Sequence, residues 1–354
     1  MRKTLIVVVT GLVSGGLVFG LAACGGGGSD SGGDKVSYAY VANEYSNEIY
    51  QYTIADDGTL AFLDTTTYVP HPGPAPMSIA VNPTGQHAYV ANFNNHIAEY
   101  TIAADGSLSL LGTISSGENA PGFITVDPNG EYAYVKNEHG ERMVYQYTIQ
   151  ADGTLAFMET VAHETTSVDT IAIGPSGRYA YVSDGNQVQQ YAIGADGAFS
   201  YLGSVNDVSG SYSLAVTPSG QYAYKANNSR DNVSQYEIQA DGTLGFMGTI
   251  ACGDSPMSIA IDPLERYVYV ANDTSEDVSQ YAIHAGGMLS FLGTVAAGYF
   301  PTSIAVDPTG KYVYVANNVD GNVSQYAIKS GGTLESMGTV PAGSGPKAIV
   351  TFAR

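Results

Sequence analysis

Residues 267–272 read YVYVAN, and residues 312–317 repeat the same six letters. The shorter pattern Tyr-x-Tyr-Val, or a close variant of it, recurs along the chain. Its second tyrosine stands at Tyr40, Tyr89, Tyr134, Tyr181, Tyr224, Tyr269 and Tyr314, with intervals of 43 to 49 residues. A period in this range is typical of propellers and solenoids, in which each repeat is one supersecondary unit.

Each repeat contains four short extended runs separated by turn signals. In the sixth repeat these runs are residues 258–261, 267–271, 278–283 and 288–295, which we name strands A to D. Asp262-Pro263 joins A to B in this repeat and Asp307-Pro308 does so in the next, and an Asp-Gly or Gly-Gly pair joins C to D in every repeat, which indicates tight turns and hairpins. No segment carries a sustained helical period, so the repeats are predicted to be almost entirely β.

The order of the strands predicts a closed ring. The first repeat begins with a B strand at Tyr38, and the chain ends on an A strand at Ala348. An open array would leave unpaired strand edges at both ends. Pairing residues 348–352 with residues 38–43 completes a seventh blade and closes the ring. The sequence therefore predicts an all-β, seven-bladed β-propeller over residues 37–354, with four antiparallel strands in each blade.

The tyrosines fit this packing. Residues i and i+2 of a strand share one face, so each Tyr-x-Tyr pair lies on a single side of its blade. Large rings with one polar end suit the interface between neighbouring blades. We therefore expect the repeated tyrosines to be structural.

The N-terminus is typical of an exported protein. Residues 1–23 carry Arg2 and Lys3 before an apolar run and are predicted to be a signal peptide. The sequence LAAC, which ends at Cys24, resembles the bacterial lipobox, and this resemblance implies that Cys24 is lipidated. Residues 24–36 then form a Gly/Ser-rich tether. The expected location is the cell envelope, at the outer membrane if the source has two membranes, with the lipid anchor as the only membrane contact.

Composition excludes several classes of partner and protein. Without residues 1–23 the chain has 11 basic and 33 acidic residues, a net charge of −22. Nucleic acids are therefore not expected as partners, because binding them requires a basic surface. Two cysteines in 354 residues do not make a disulfide scaffold.

The repeats resemble a known family. YVAN stands at residues 40–43, 89–92, 269–272 and 314–317, usually followed by Ser-Gln-Tyr or a variant. In this the chain resembles the YVTN-repeat and lactonase-type seven-bladed β-propellers, which include bacterial 6-phosphogluconolactonases. The resemblance implies a propeller fold and lactone hydrolysis. It also implies a Pro-His pair just before an A strand, and arginines around the central pocket.

The chain departs from that last expectation. The residues just before the seven A strands are Met77, Gly122, Asp169, Tyr212, Met257, Thr302 and Lys347. None of them is histidine. Arginines at the mouth of the ring are expected only at Arg142 and Arg230, which does not favour an anionic lactone.

The mouth of the ring, built from the D-to-A and B-to-C loops, holds the candidate catalytic residues. These are His139 and Arg142 in one loop and His163 and Glu164 in the next. A histidine beside a carboxylate can act as a general base, and an arginine can stabilise an oxyanion. An exposed polar loop explains the same residues. The candidate ligand-binding residues at the mouth are His71, Asp169, Tyr212, Arg230 and Lys347.

No cofactor or metal is predicted, because the chain after the signal peptide has no HxH, HExxH or CxxC spacing. Cys252 takes the place of Ala297 and Ala342 in sister repeats, so it is predicted to be a small buried residue.

Three functions remain open at this point. The pattern favours an envelope lipoprotein whose propeller binds a protein, a glycan or a small molecule. The alternative is a lactonase-like hydrolase that acts on a lactone outside the cytoplasm. The third is a structural surface component that contacts copies of itself.

Overall fold

The computed structural model describes residues 35–67, 75–117, 120–137, 143–162, 168–184, 186–206 and 210–354. These residues form seven four-stranded antiparallel sheets and no helix. Each sheet is one blade, and the blades are arranged in a ring. The predicted all-β, seven-bladed propeller is therefore confirmed.

The strands are numbered in chain order, and each blade runs from its innermost strand A to its outermost strand D. Blade 1 contains β1 (Ser37–Asn43), β2 (Glu48–Ile54) and β3 (Leu60–Thr67) as strands B to D. The next three blades contain β4 (Pro76–Val81), β5 (His87–Asn92), β6 (His96–Ile102), β7 (Leu108–Ser115), then β8 (Pro121–Val126), β9 (Tyr132–Asn137), β10 (Val144–Ile149), β11 (Leu155–Ala162), then β12 (Thr170–Ile173), β13 (Tyr179–Ser183), β14 (Gln187–Ile193), β15 (Phe199–Asn206). Blades 5 to 7 contain β16 (Ser211–Val216), β17 (Tyr222–Asn227), β18 (Asn232–Ile238), β19 (Leu244–Ala251), then β20 (Pro256–Ile261), β21 (Tyr267–Asn272), β22 (Asp277–Ile283), β23 (Leu289–Ala296), then β24 (Pro301–Val306), β25 (Tyr312–Asn317), β26 (Asn322–Ile328), β27 (Leu334–Pro341). The last strand, β28 (Pro346–Ala353), is strand A of blade 1.

The C-terminal strand closes the ring as predicted. Strand β28 pairs antiparallel with β1, with Tyr38 opposite Phe352 and Ala42 opposite Ala348. The ring of Phe352 stacks on Tyr38, with the ring centroids 5.4 Å apart. Blade 1 therefore joins the two ends of the chain.

The A strands begin earlier than the sequence predicted. Apart from β12, which begins at Thr170 as expected, they start two residues upstream, at Pro76, Pro121, Ser211, Pro256, Pro301 and Pro346. Five of the six added first residues are prolines, which the first position of a strand tolerates. A β-bulge then restores the pairing, as where Pro256 pairs with Asn272 and Ser258 with Ala271.

The structural role predicted for the tyrosines is confirmed. The second tyrosine of each repeat is at most 1% exposed. Its hydroxyl donates a hydrogen bond to a glycine carbonyl in the C-to-D turn of the next blade. The seven bonds are Tyr40 to Gly106, Tyr89 to Gly153, Tyr134 to Gly197, Tyr181 to Gly242, Tyr224 to Gly287, Tyr269 to Gly332 and Tyr314 to Gly58. The last bond runs from blade 7 to blade 1, so these seven bonds link every pair of neighbouring blades around the ring.

In the part of the chain that the structure describes, no helix is long and apolar enough to cross a membrane.

Candidate active site at the mouth of the ring

The mouth is the end of the ring where the B strands finish and the A strands begin. Two positions of each blade therefore lie at this end: the residue that follows the B strand, and the residue at the bulge of the A strand. Sheet order places the A strands innermost, around the central axis. Side chains at these two positions are the ones best placed to contact a molecule on the axis.

Lys347 forms an ion pair at the mouth. Its ammonium lies 3.4 Å from a carboxylate oxygen of Glu44, the residue after β1. The side chains are only 14% and 22% exposed, so the pair is largely shielded from water. Lys347 was one of the predicted ligand-binding residues, and the structure places it in a charged cluster with Glu44.

Asp273, the residue after β21 of blade 6, brings a second carboxylate to the mouth, where it feels the charge of Lys347. Its backbone amide donates a hydrogen bond of 2.9 Å to the carbonyl of Ser255, and this bond fixes the start of the loop. Burial raises the pKa of the Asp273 carboxyl, and the charge of Glu276 raises it further, while Lys347 opposes both. A half-buried carboxylic acid with a raised pKa, within electrostatic range of a lysine, is typical of an acid–base site.

Blade 4 and its two neighbours carry buried charges that break the repeat. Lys136 stands where most repeats have alanine, and Lys225 stands where the other six have valine. Their exposed fractions are 2% and 0%. Asp184, 6% exposed, replaces the asparagine that ends the pattern in the other blades. Buried lysines are rare and costly, so their concentration around one blade indicates a function.

The alternation along the strands shows which way the two lysines face. Lys136 shares a face of β9 with Tyr134, whose hydroxyl bonds to Gly197 of blade 4. Lys225 lies on the opposite face of β17 from Tyr224, whose hydroxyl bonds to Gly287 of blade 6. Both lysines therefore face blade 4, one from each side.

Three other predicted residues can be placed. Asp169 is half-buried just before β12, with its amide donating to the carbonyl of Ser183 at 2.7 Å. Tyr212 is half-buried at the start of β16, and Arg230 is exposed in the loop after β17. Two of the predicted mouth residues belong to different blades. Asp169 lies in blade 4, and Lys347 lies in blade 1, where it pairs with Glu44.

The remaining predicted residues lie outside the described residues. They are His71, His139, Arg142, His163, Glu164 and the lipidation site Cys24. Strand β9 ends at Asn137 and strand β10 begins at Val144, and both of these strand ends lie at the mouth. The roles assigned to these residues stay predictions.

Cys252 is half-buried rather than buried. It lines a cavity of about 290 Å³ between blades 5 and 6 with Ile250 and Phe291. Burial raises the pKa of its thiol, which therefore stays neutral and weakly nucleophilic. Among the described residues, no group of three or more His, Cys, Asp or Glu side chains is placed to hold a metal ion.

Sequence reasoning missed Glu44, Asp273, Lys136 and Lys225. The two lysines were detectable, because YVKN at residues 134–137 and YKAN at residues 224–227 interrupt a pattern that reads YVAN in four of the other five blades. The meeting of Glu44 with Lys347 was implied by the predicted pairing of residues 348–352 with residues 38–43, but this consequence was not drawn.

Solved structures of low sequence identity share the fold. A proposed 6-phosphogluconolactonase of Bacteroides uniformis has a TM-score of 0.79 and 20% identity, covering 90% of this chain and 99% of its own. A similar protein of Bacteroides fragilis has a TM-score of 0.78 and 19% identity, over 92% and 99% of the two chains. The periplasmic gluconolactonase of Pseudomonas aeruginosa has a TM-score of 0.75 and 20% identity, over 89% and 99%. At these identities the likeness shows the fold alone.

The sequence itself identifies the family. No curated protein matches the chain. The family described as lactonase, 7-bladed beta-propeller, matches residues 33–144, 137–246, 177–296 and 246–351, which together span the whole ring. The chain therefore belongs to the lactonase family of seven-bladed β-propellers.

Proposed function

We propose that the protein is a lactone hydrolase that acts outside the cytoplasm, the alternative to the binding module that the sequence alone favoured. The observation that carries the proposal is the ion pair of Glu44 and Lys347, with Asp273 within electrostatic range of the lysine, at the mouth of a propeller of the lactonase family. The names of two neighbours, a periplasmic gluconolactonase and a proposed 6-phosphogluconolactonase, support the same reaction.

The cluster supplies the groups that hydrolysis needs. Water attacks the carbonyl carbon of the lactone while the carboxylate of Asp273 accepts a proton from it. The ammonium of Lys347, held by Glu44, stabilises the negative charge that develops on the carbonyl oxygen. The ring carbon–oxygen bond then breaks, the ring oxygen takes up a proton, and a hydroxy acid leaves.

The predicted signal peptide and the lipobox-like sequence at Cys24 support the proposed location. A lipidated Cys24 would hold the enzyme at the envelope, at the outer membrane of a cell with two membranes. The substrate is then a lactone met outside the cytoplasm.

The test is hydrolysis of neutral and anionic lactones by residues 34–354, followed by base uptake at constant pH. We expect saturable turnover that falls about 100-fold or more in Asp273→Asn and in Lys347→Met. Asp56→Asn, in an exposed turn at the other end of the ring, serves as the control. His139→Ala and His163→Ala test the histidines predicted from sequence, with exposed His284→Ala as their control.

The pH dependence gives a second readout. Asp273 must be ionised to act as a base, and its pKa is raised, so kcat/KM should rise with pH through a value above that of an ordinary aspartate. Full activity of Asp273→Asn would contradict the assignment of the base. The absence of turnover with every lactone would contradict the proposed function.

A binding module is the second candidate. Strand D of five blades exposes an aromatic ring by half or more on the outer wall: Phe62, Phe157, Tyr201, Phe246 and Phe291. Exposed aromatic surface of this kind is enriched at protein and glycan interfaces. Capture of one envelope protein or glycan by a domain that hydrolyses no lactone would favour this function. Assembly of the domain with itself would favour a structural component.

A further inference from the structure

A cavity of about 290 Å³ between blades 5 and 6 opens on the outer wall of the ring, near the mouth. One side is formed by Ile250, at the end of β19, and by Cys252 and Gly253 in the loop that follows. The other side is formed by strands β22 and β23 of blade 6, through Ser279 and Phe291. The walls are mainly apolar, and the volume is close to the lower end of the range for small-molecule sites, which begins at about 300 Å³.

An aromatic ring forms the cavity wall on the side of blade 6. The ring of Phe291 is 54% exposed, and it contacts Tyr281 in a T-shaped arrangement with the ring centroids 5.7 Å apart. Tyr281 is itself held in place, because its hydroxyl donates to the carbonyl of Ala251 at 2.8 Å. Phe291 therefore presents a fixed aromatic surface to the cavity, and such a surface attracts a cation that lies over the face of the ring.

Three carboxylates surround the cavity. Asp231 and Asp254 are exposed, and Asp277 is half-buried. The carboxylate of Asp277 lies against Gly253 in the cavity wall, since a Cβ added to this glycine would lie 2.7 Å from Oδ1 of Asp277. Burial raises the pKa of the Cys252 thiol, and the charges of the three carboxylates raise it further, so all three act on the cavity. Among the described residues, none of the three carboxylates is in an ion pair.

The sister seam between blades 6 and 7 has the same backbone arrangement but lacks most of these groups. There the amide of Ala297 donates to the carbonyl of Glu276 at 2.8 Å. The amide of Cys252 makes the equivalent bond to Asp231 at 3.0 Å. Three other positions differ in chemistry: Ser336 takes the place of Phe291, Asn322 of Asp277 and Tyr299 of Asp254. The repeat therefore folds without an aromatic ring or three carboxylates here, so their presence around a cavity indicates binding.

We propose that the cavity between blades 5 and 6 binds a small organic cation with an aromatic ring, an arylalkyl ammonium. The aromatic part enters the apolar cavity and leaves water. The ammonium stays at the rim, over the face of Phe291 and among the three carboxylates, so it keeps part of its hydration. The protein, with a net charge of −20, attracts cations and repels anions. The site is independent of the proposed lactone hydrolysis, which is assigned to the mouth.

Cys252 reports whether the cavity is occupied, because this residue lies in the cavity wall. Methyl methanethiosulfonate, a small neutral reagent, converts the thiol to a mixed disulfide and releases methanesulfinate. Peptide mass spectrometry of the full chain follows this reaction at Cys252 separately from Cys24. The rate is measured at pH 8 and constant ionic strength with four probes: 2-phenylethylammonium, 2-phenylethanol, 3-phenylpropanoate and ethylammonium.

The probes separate the effect of the charge from that of the aromatic ring. We expect 2-phenylethylammonium to slow the reaction saturably. Half protection should need a concentration about fivefold or more below that of 2-phenylethanol, because only the cation is attracted by the carboxylates and by Phe291. The anion 3-phenylpropanoate should not protect, because the carboxylates repel it. Ethylammonium should not protect either, because it has no ring to enter the cavity.

Two substitutions install residues of the sister seam and are expected to fold, which the midpoint of thermal unfolding checks. Phe291→Ser should abolish protection by 2-phenylethylammonium. Asp277→Asn should weaken that protection several-fold and leave 2-phenylethanol unchanged. If Phe291→Ser does not fold, Asp277→Asn decides.

Each substitution has a matched control. Phe246→Ser removes an aromatic ring that is 50% exposed at the same position of blade 5. Asp56→Asn removes a carboxylate from an exposed turn at the other end of the propeller. Both variants should keep the protection of the wild type.

Equal protection by 2-phenylethylammonium and 2-phenylethanol would overturn the preference for a cation. Equal protection by ethylammonium would show attraction to surface charge alone and would overturn the role of the aromatic ring. Absence of protection by every probe, or protection that survives unchanged in both Phe291→Ser and Asp277→Asn, would overturn the site. No lactone is present, so none of these outcomes depends on the proposed function.

Discussion

Glu99 occupies a place on strand C where the other six blades carry glutamine. Five of those glutamines accept a hydrogen bond from the first amide of strand D in the next blade, at 2.6 or 2.7 Å. Glu99 makes the same bond to Leu155 at 2.7 Å, but it is 4% exposed and charged. Burial raises the pKa of its carboxyl, and the charge of Asp152 raises it further, against the bond from Leu155.

Glu99→Gln is therefore expected to stabilise the protein at neutral pH, on the order of 1 kcal/mol. The Glu99 carboxyl has a higher pKa in the folded state than in the unfolded state. The wild type is therefore most stable, relative to the variant, at pH values below the pKa of this glutamate in the unfolded chain. It loses that stability as pH rises through the folded pKa. The difference in the free energy of unfolding between variant and wild type, measured by denaturant at several pH values, should grow with pH and then level off.

The reverse change provides the control. Gln280→Glu places a carboxylate at the same position between blades 6 and 7, where Gln280 is 2% exposed and accepts from Leu334. It should destabilise the protein with the same dependence on pH. His87 shifts stability in the opposite sense, because burial lowers its pKa, but it is common to both proteins and cancels in the difference. A Glu99→Gln variant that is less stable at pH 8 would contradict this account.

The C-to-D hairpins dock each blade on the one before it. Gly332 lies in the turn between β26 and β27 with a φ of 85°, a conformation that favours glycine. A Cβ there would lie 2.2 Å from the ring of Tyr267. That ring cannot move away freely, because its hydroxyl donates to the carbonyl of Ser330 at 3.0 Å. The turn and the tyrosine therefore fit only if the residue is glycine.

We expect Gly332→Ala to destabilise the ring by about 2 kcal/mol or more, from backbone strain and the displaced tyrosine together. Gly331 is the matched control, since it is the neighbouring residue and a Cβ there would meet nothing within 4 Å. Gly331→Ala should leave the midpoint of thermal unfolding nearly unchanged. Similar midpoints for the two variants would show that the contact with Tyr267 does not hold the turn in place.

At the scale of the whole molecule, the repeat made the architecture predictable and the site only partly so. Seven occurrences of one pattern fixed the number of blades, and the order of strands predicted closure, because an open array would expose strand edges. The predicted starts of most A strands were two residues too late. A proline such as Pro256 is not typical of a strand interior, and the β-bulge that follows it interrupts the regular pairing. The pair of Glu44 and Lys347 lies at the edge of the predicted pairing of residues 38–43 with residues 348–352, so closure placed the two residues side by side, but the repeat pattern does not specify the side-chain conformations that form the ion pair.

Closure also makes the stability of the ring depend on its last strand. Four side chains of β28, Ala348, Ile349, Val350 and Phe352, are fully buried, and Ile349 and Thr351 bond to Ser303 and Val306 of blade 7. Deletion of residues 348–354 removes these contacts and exposes the edge of β1. The loss is expected to reach on the order of 6 kcal/mol or more from the buried apolar side chains alone.

A circular permutant separates the loss of the strand from the loss of covalent closure. The amide of Arg354 donates to the carbonyl of Val36 at 3.0 Å, so the two ends lie side by side. A short linker from Arg354 to Lys35, with new termini at Ser344, keeps all four strands of blade 1 in one continuous segment. Guanidinium unfolding should show the permutant close to the wild type and the truncated chain unfolded or far less stable. A truncated chain that unfolds at the wild-type midpoint would contradict this account. The contacts between the remaining blades would then be enough to stabilise the ring without β28.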